Sequence, residues 1–199
     1  EILTAYAEVD FFEQELRVYA EVSSDDNRAN FTDLRAHWDH TLGYLYGFNK
    51  IIKLNQNKLI LTAEYLSTKI SNTFNPKFYR GDPNKDNYYT KDAYDYFSYE
   101  NRRIGAHSGT SSDDLFFAIG YAQKNQSTIF TINKERHGIK SMENTELKTE
   151  YSLSFYKAIN KKNTLFVSVE RENIINFGFI ENGNSVSNFL WAGIKINIK

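Results

Sequence analysis

The segment 69–111 carries the residues best suited to bind another molecule. It combines tyrosines with arginines, and two aspartates follow it. Aromatic rings stack on the apolar C–H surface of sugars, while carboxylates and guanidinium groups bind sugar hydroxyls and acids. We therefore predict a glycan-binding surface whose candidate contacts are Tyr79, Arg80, Tyr88, Tyr89, Tyr94, Tyr96, Arg102, Arg103, His107, Asp113 and Asp114. The alternative is that these aromatics pack the segment onto the rest of the fold.

Two acidic pairs are candidates for a calcium site. Asp25–Asp26 and Asp113–Asp114 both lie beside serines. Adjacent carboxylates with hydroxyl oxygens can hold Ca²⁺, but the spacing does not match an EF-hand loop. We therefore favour solvated turns with local hydrogen bonds for both pairs, and we expect no bound metal.

The histidines give little indication of catalysis. His107 and Ser108 are adjacent, so on an extended chain their side chains point apart and the imidazole cannot activate the hydroxyl. The sequence also lacks the Gly-x-Ser-x-Gly elbow of serine hydrolases. His37 and His40 flank Trp38 without a third metal ligand nearby. We predict no catalytic residue and no cofactor.

The elements that must position the long segment are β-strands. Apolar and polar residues alternate along about nine segments, which is the period of a strand and not of a helix. The first clear run is 3–11 and the last is 190–198. Many of these runs approach the ~9–11 residues that a tilted strand needs to cross a bilayer.

The connections between these segments alternate in length. Short connections lie near 12–14, 49–57, 124–126 and 160–163, whereas longer ones cover 23–38, 68–111, 135–144 and 173–185. Transmembrane β-barrels have short turns at one end and long loops at the other. The pattern therefore predicts an all-β, antiparallel transmembrane barrel with a long outer loop at 69–111.

The strand alternation assigns the two faces of such a barrel. We expect Leu153, Leu165, Val167, Leu190 and Ile194 to face lipid. Charged positions would line the lumen, namely Glu8, Glu15, Arg17, Glu21, Lys148, Glu150, Glu170 and Lys195. A soluble sandwich or lipocalin-type barrel shows the same period with the faces inverted, and strand length and loop asymmetry favour the membrane barrel over it.

Composition excludes several classes of protein. The chain has 24 Lys+Arg against 25 Asp+Glu, a balance that rules out a strongly basic nucleic-acid binder. It has no cysteine, which excludes disulfide scaffolds and thiol nucleophiles. No apolar run approaches the ~20 residues of a membrane-spanning helix.

About nine strands do not complete an ordinary single-chain barrel, which has an even strand number. The chain also opens in a strand-like pattern without an initiator Met or a signal sequence. We therefore expect residues 1–199 to form a single barrel domain or the C-terminal half of a larger barrel. A missing N-terminal portion or another chain would supply the rest, and the export signal would lie upstream.

The order of motifs resembles that of the capsule assembly Wzi-like outer-membrane proteins. The resemblance rests on the runs 16–26, 43–47 and 61–65, on Phe78-Tyr79-Arg80 at the start of the Tyr-rich loop, and on 103–107 leading into 109–114. It covers most of the chain, as the C-terminal half of the family's large barrel. It implies a protein of the bacterial outer membrane that associates capsular polysaccharide with the cell surface, is lectin-like and does no catalysis.

Three functions therefore remain open. The first is an outer-membrane barrel that binds or anchors surface polysaccharide, with outer-membrane lipid as its other partner. The second is a barrel enzyme acting on lipid or glycan through His107 and a loop Ser or Asp. The third is a passive pore.

Overall fold

A computed structural model describes residues 2–25, 42–69, 111–139 and 141–196, together with residues 35, 38–39, 77, 98–99, 102–103 and 108–109. Nine long strands account for most of these residues. They are β1 (Ile2–Phe11), β2 (Leu16–Asp25), β3 (Leu42–Leu54), β4 (Asn57–Ser67), β7 (Asp113–Ala122), β8 (Gln126–His137), β9 (Glu146–Ala158), β10 (Asn163–Ile175) and β11 (Asn184–Ile196). Two short strands, β5 (Ser98–Tyr99) and β6 (Arg102–Arg103), lie within the long connection, and a 3₁₀ turn covers Phe177–Phe179.

The nine long strands form one antiparallel sheet in chain order, with β4 next to β7. The prediction of an all-β antiparallel fold with about nine strands is confirmed. β5 and β6 pair with each other as a separate small sheet. β1 and β11 are the two edges of the large sheet, which is not closed within the described residues. The described part of the chain contains no helix long and apolar enough to cross a membrane.

The connections alternate in length as predicted. Short turns cover 12–15, 55–56, 123–125 and 159–162, while the connections at the other end cover 26–41, 68–112, 138–145 and 176–183. Asn55 has a φ of 56°, a left-handed conformation that asparagine tolerates better than most residues. Glu15, predicted on a strand, instead ends a turn with a φ of 48° and pairs with Lys53.

The strand register separates the side chains into two faces of opposite character. Leu153, Val167, Leu190 and their strand neighbours at every second position lie on one side, which we call the apolar face. Glu150, Glu170, Lys195 and the residues in register with them lie on the other, which we call the polar face. The predicted division of residues between two faces is therefore confirmed.

The apolar face is not covered by a second layer within the described residues. Leu190 is 71% exposed and Ile194 is 57% exposed, although both are large and aliphatic. Among the hydrophobic residues that the structure describes, only Ile174 is buried. The closed dry core of a soluble sandwich or lipocalin-type barrel is thus not found in this part of the chain.

A glycine on β3 lets the Tyr19 ring of β2 lie across the polar face. Gly47 of β3 lies opposite Tyr19 of β2, and a Cβ at Gly47 would come within 2.5 Å of the tyrosine Cζ. The missing side chain leaves room for the ring to extend across β3 and donate a hydrogen bond from its hydroxyl to Glu64 on β4. Gly47 therefore permits a contact that spans three strands.

We expect Gly47→Ala to lower the free energy of unfolding by about 1–3 kcal/mol, because the new methyl group displaces the Tyr19 ring from Glu64. Gly120→Ala is the matched control, since a Cβ there meets Ile60 at an ordinary 3.5 Å. Urea unfolding of both variants measures the difference. Equal losses in the two variants would contradict this role for Gly47.

Candidate functional site

The two ends of the long connection are fastened together by buried hydroxyl groups. The Thr68 hydroxyl donates to the carbonyl of Gly109 at 2.6 Å and lies 3.0 Å from the Ser112 hydroxyl. The Ser112 hydroxyl in turn contacts that of Ser108 at 3.1 Å. The backbone N–H of Thr68 donates to the carbonyl of Ser112 at 2.9 Å. Residues 69–111 thus leave and re-enter the sheet at one fixed point.

An ionic cluster lies beside this point on the apolar face. The Arg136 guanidinium donates from Nε to Asp113 Oδ1 at 2.8 Å and from Nη2 to Oδ2. Lys69 contacts the same carboxylate at 3.0 Å, and its ammonium lies 5.8 Å from the centre of the Tyr65 ring. Only 6% of the Asp113 side chain is exposed. The cluster joins the start of the long connection to β7 and β8.

The ion pairs lower the pKa of the Asp113 carboxyl group. Burial by itself would raise the pKa of this carboxyl group, but the hydrogen bonds and charges of Arg136 and Lys69 outweigh it and lower the pKa below its usual value. The carboxylate therefore stays charged under mildly acidic conditions, and the cluster persists with it.

Asp113 and Asp114 do not lie in a solvated turn, so that interpretation of the pair is wrong. Both begin β7 and each is only 4% exposed. Because successive residues of a strand point to opposite faces, Asp113 lies on the apolar face and Asp114 on the polar face beside Glu135. The pair cannot hold one calcium ion between its carboxylates. No group of three or more His, Asp or Glu within the described residues is arranged to hold a metal ion.

A second charged cluster lies on the polar face, near the same end of the sheet. The Lys148 ammonium is 2.9 Å from Glu150, 3.4 Å from Glu135 and 3.4 Å from Glu172. Burial would lower the pKa of Lys148, but the hydrogen bond that its ammonium donates to Glu150 and the surrounding negative charge raise it. A single cation thus holds carboxylates from three neighbouring strands.

His137 extends this cluster at the last residue of β8. Its Nε2 lies 2.8 Å from Glu135 and its Nδ1 lies 3.0 Å from Glu146. Burial favours the neutral imidazole, yet the two carboxylates outweigh it and raise the pKa of His137. The cluster was not predicted as a site, because Lys148 and Glu150 come from one strand while their partners are brought by register from β8 and β10.

Further along the polar face, hydroxyl groups and aromatic rings replace the charges. Thr131 meets Ser152 at 2.6 Å, and Ser154 meets Ser168 at 2.7 Å across the next pair of strands. Phe189 and Trp191 stack on β11 with their ring centres 5.5 Å apart. Rings and hydroxyl groups side by side are the groups that contact sugars.

Only part of the predicted glycan-binding set falls within the described residues. Arg102 and Arg103 form β6 and pair with β5, so their backbone is held in a hairpin. Tyr79, Arg80, Tyr88, Tyr89, Tyr94, Tyr96 and His107 lie outside the described residues, as do Asp26, His37 and His40. Ser108 is 4% exposed and its hydroxyl is hydrogen-bonded to Ser112, so it is not presented as a nucleophile.

The chain matches no protein-family model, no curated protein and no solved structure.

We expect Asp113→Asn to destabilise the protein by roughly 1.5–3 kcal/mol at neutral pH, because two hydrogen bonds between charged groups are lost. The lowered pKa of Asp113 means that this stabilisation is present above the pKa of the unfolded state and lost as pH falls through the folded value. Unfolding free energies of parent and variant, measured from neutral to acidic pH, should therefore converge in acid. Glu143→Gln, at an exposed site, is the control. A difference that does not depend on pH would contradict this role.

Proposed function

We propose that this chain is part of an outer-membrane β-barrel that holds capsular or other surface polysaccharide at the cell, without catalysing a reaction. The observation that carries the membrane assignment is the uncovered apolar face. Large aliphatic side chains such as Leu3, Leu190 and Ile196 are more than half exposed there. In water such a surface would cause aggregation, whereas the hydrocarbon of a bilayer solvates it favourably.

The distribution of charge along the strands supports the same placement. On β10 the apolar face runs through Leu165, Val167 and Val169 before the first cation, Arg171. On β8 it runs through Phe130 and Ile132 before Lys134 and Arg136. Cations at the ends of an apolar stretch suit the interface with polar headgroups and cost little there.

The unpaired edges support a larger barrel. β1 and β11 each pair on one side only among the described residues. Unpaired backbone N–H and C=O groups are costly in hydrocarbon, so a membrane sheet closes on itself or on further strands. We propose that additional strands, from the same protein or from another chain, lie between these edges.

The long connection is the proposed polysaccharide-binding element. It lies at the end with long loops, which in outer-membrane barrels is the cell-surface end. Its two ends are fixed by the Thr68–Ser112 hydroxyl contacts, and Arg102 and Arg103 lie in a paired hairpin. A guanidinium group binds a carboxylate through two parallel hydrogen bonds, so these arginines suit an acidic polymer. A repeating polymer also needs only weak individual contacts.

We expect Val167→Arg to destabilise the protein by about 2–4 kcal/mol, because the charge enters the middle of the bilayer. Ser168→Arg should cost much less, since Ser168 is on the polar face and contacts Ser154. Urea unfolding of the full-length protein in lipid vesicles measures both. A loss as large for Ser168→Arg as for Val167→Arg would contradict the membrane placement.

We expect Arg102→Ala combined with Arg103→Ala to reduce the polysaccharide retained at the cell surface, because the paired cations that contact the acidic polymer are removed. The matched control replaces Lys161 and Lys162 with Ala, which removes an adjacent basic pair from a short turn at the opposite end of the sheet. Surface polysaccharide is measured in cells that contain equal amounts of folded full-length protein.

Two outcomes would contradict this function. Unchanged polysaccharide in the Arg102/Arg103 variant would make the loop a structural lid. Ion conductance of the purified protein in a planar bilayer, together with unchanged polysaccharide, would favour a passive pore.

A further inference from the structure

A groove on the apolar face has the shape and chemistry of an amphiphile-binding site. Its larger part is a cavity of about 600 Å³ between β2, β3, β4 and β7. The small side chains of Ala20 and Ala63 border it, together with the larger Tyr46, Phe48 and Leu115. Two alanines among larger side chains leave a channel that an alkyl chain can fill with dispersion contacts.

A second cavity of about 380 Å³ continues this groove toward the long connections. Tyr65 and Leu115 line both cavities. From the apolar face, Lys134, Arg136, Asp113 and Thr149 line the second cavity, so two cations, one carboxylate and a hydroxyl group adjoin the apolar channel. The other charged residues of its lining, Asp114, Glu135 and Lys148, belong to the polar face by register. The groove therefore has an apolar end and a charged end, where the cations of the apolar face outnumber its one described carboxylate.

The strand register explains why the two ends meet. Ala20, Tyr46, Tyr65, Leu115, Lys134 and Thr149 follow one another across six strands in a single row. The strands of a membrane barrel are tilted, so such a row rises across the bilayer rather than running parallel to it. One end of the row is therefore at hydrocarbon depth when Lys134 is at the headgroup interface.

Within the described residues, the cations of this region outnumber the acids on the same face. Asp113 is the one carboxylate among the described strand side chains of the apolar face, and it is already paired with Arg136 and Lys69. Lys134 is exposed and has no carboxylate within ion-pair distance among the described residues, and the same is true of Arg171. The neighbouring glutamates, such as Glu135, lie on the polar face. The apolar face is thus locally positive at this end.

We propose that this groove binds one phosphate-bearing lipid of the surrounding membrane. An acyl chain lies along Ala20 and Ala63, and the phosphate group lies between Lys134 and Arg136. This proposal rests on the membrane placement proposed above. A phosphate accepts charge-assisted hydrogen bonds from an ammonium and a guanidinium group, and each basic residue adds attraction to an anionic lipid surface. A zwitterionic or neutral lipid would fill only the apolar channel.

The test measures lipid retained by the purified full-length protein in a non-ionic detergent, counted by native mass spectrometry. The probes are dioleoyl phosphatidic acid, dioleoylglycerol with the same chains, and glycerol phosphate with the same headgroup. We expect phosphatidic acid to be retained, dioleoylglycerol to be retained poorly and glycerol phosphate not to compete. Equal retention of the two lipids, or competition by glycerol phosphate as effective as by the whole lipid, would overturn the proposal.

Variants locate the site. Lys134→Gln should weaken retention of phosphatidic acid roughly five-fold, the effect of about one basic residue at a membrane surface. Lys157→Gln is the matched control, because Lys157 is also exposed on the apolar face but lies at the short-turn end. Ala63→Phe should reduce retention by filling the channel without changing any charge. An equal effect of Lys157→Gln, or no effect of either Lys134→Gln or Ala63→Phe in folded protein, would overturn the assignment.

The lipid-retention test of the groove can fail or succeed independently of the polysaccharide test of the proposed function. Cells carrying Lys134→Gln should retain normal surface polysaccharide, because the substitution lies outside the long connection. Loss of lipid with normal polysaccharide supports the groove alone. Failure of the lipid assay in a protein that still retains polysaccharide overturns the groove and leaves the proposed function standing.

Discussion

The constraint on which the structure depends is that a single sheet leaves its apolar face uncovered within the described residues. Most domains bury such a face against a second layer of helices or strands. Here Ile174 is the only buried hydrophobic residue among those that the structure describes, while Leu190 and Ile194 are largely exposed. Within the described residues, hydrogen-bonded strand pairs therefore hold the sheet together and no second layer covers its apolar face.

The polar face follows from the same constraint. When one face must be apolar, nearly all strand carboxylates are confined to the other, where they come close together. The structure compensates for their repulsion with few cations: Lys148 holds glutamates from β8, β9 and β10, and His137 lies between Glu135 and Glu146. The polar face is therefore acidic near the long connections, so the proposed binding of an acidic polymer falls to the arginines of the connection rather than to this face.

The apolar face has the opposite charge at the same end. Lys134, Arg136 and Arg171 lie there, and Asp113, the one acid among the described strand side chains of this face, is paired with Arg136 and Lys69. Because Asp113 also begins β7, a single ion cluster fixes both the edge of the apolar region and the point where the long connection returns to the sheet. The proposed membrane placement, the proposed lipid groove and the position of the long connection thus depend on neighbouring groups.

The sequence by itself determined the strands, their faces and the alternation of short and long connections. These are local properties, since a period of two places residues such as Val167 and Glu170 on opposite sides wherever the strand lies. The same alternation, extended two residues back from Leu115, would also have separated Asp113 from Asp114. It was missed because the pair was predicted to lie in a solvated turn, whereas the pairing of Asp113 with Ser67 and Arg136 places it in β7.

Only the tertiary structure decided which groups from different strands meet. The partners of Lys148, the contact of Tyr19 with Glu64 across Gly47, and the groove from Ala20 to Lys134 all depend on register. Register is set by the pairing of neighbouring strands and by the connections that join them, and a shift of one residue would reverse the faces of a strand. Sequence alternation alone therefore predicts which side each residue takes but not its neighbours.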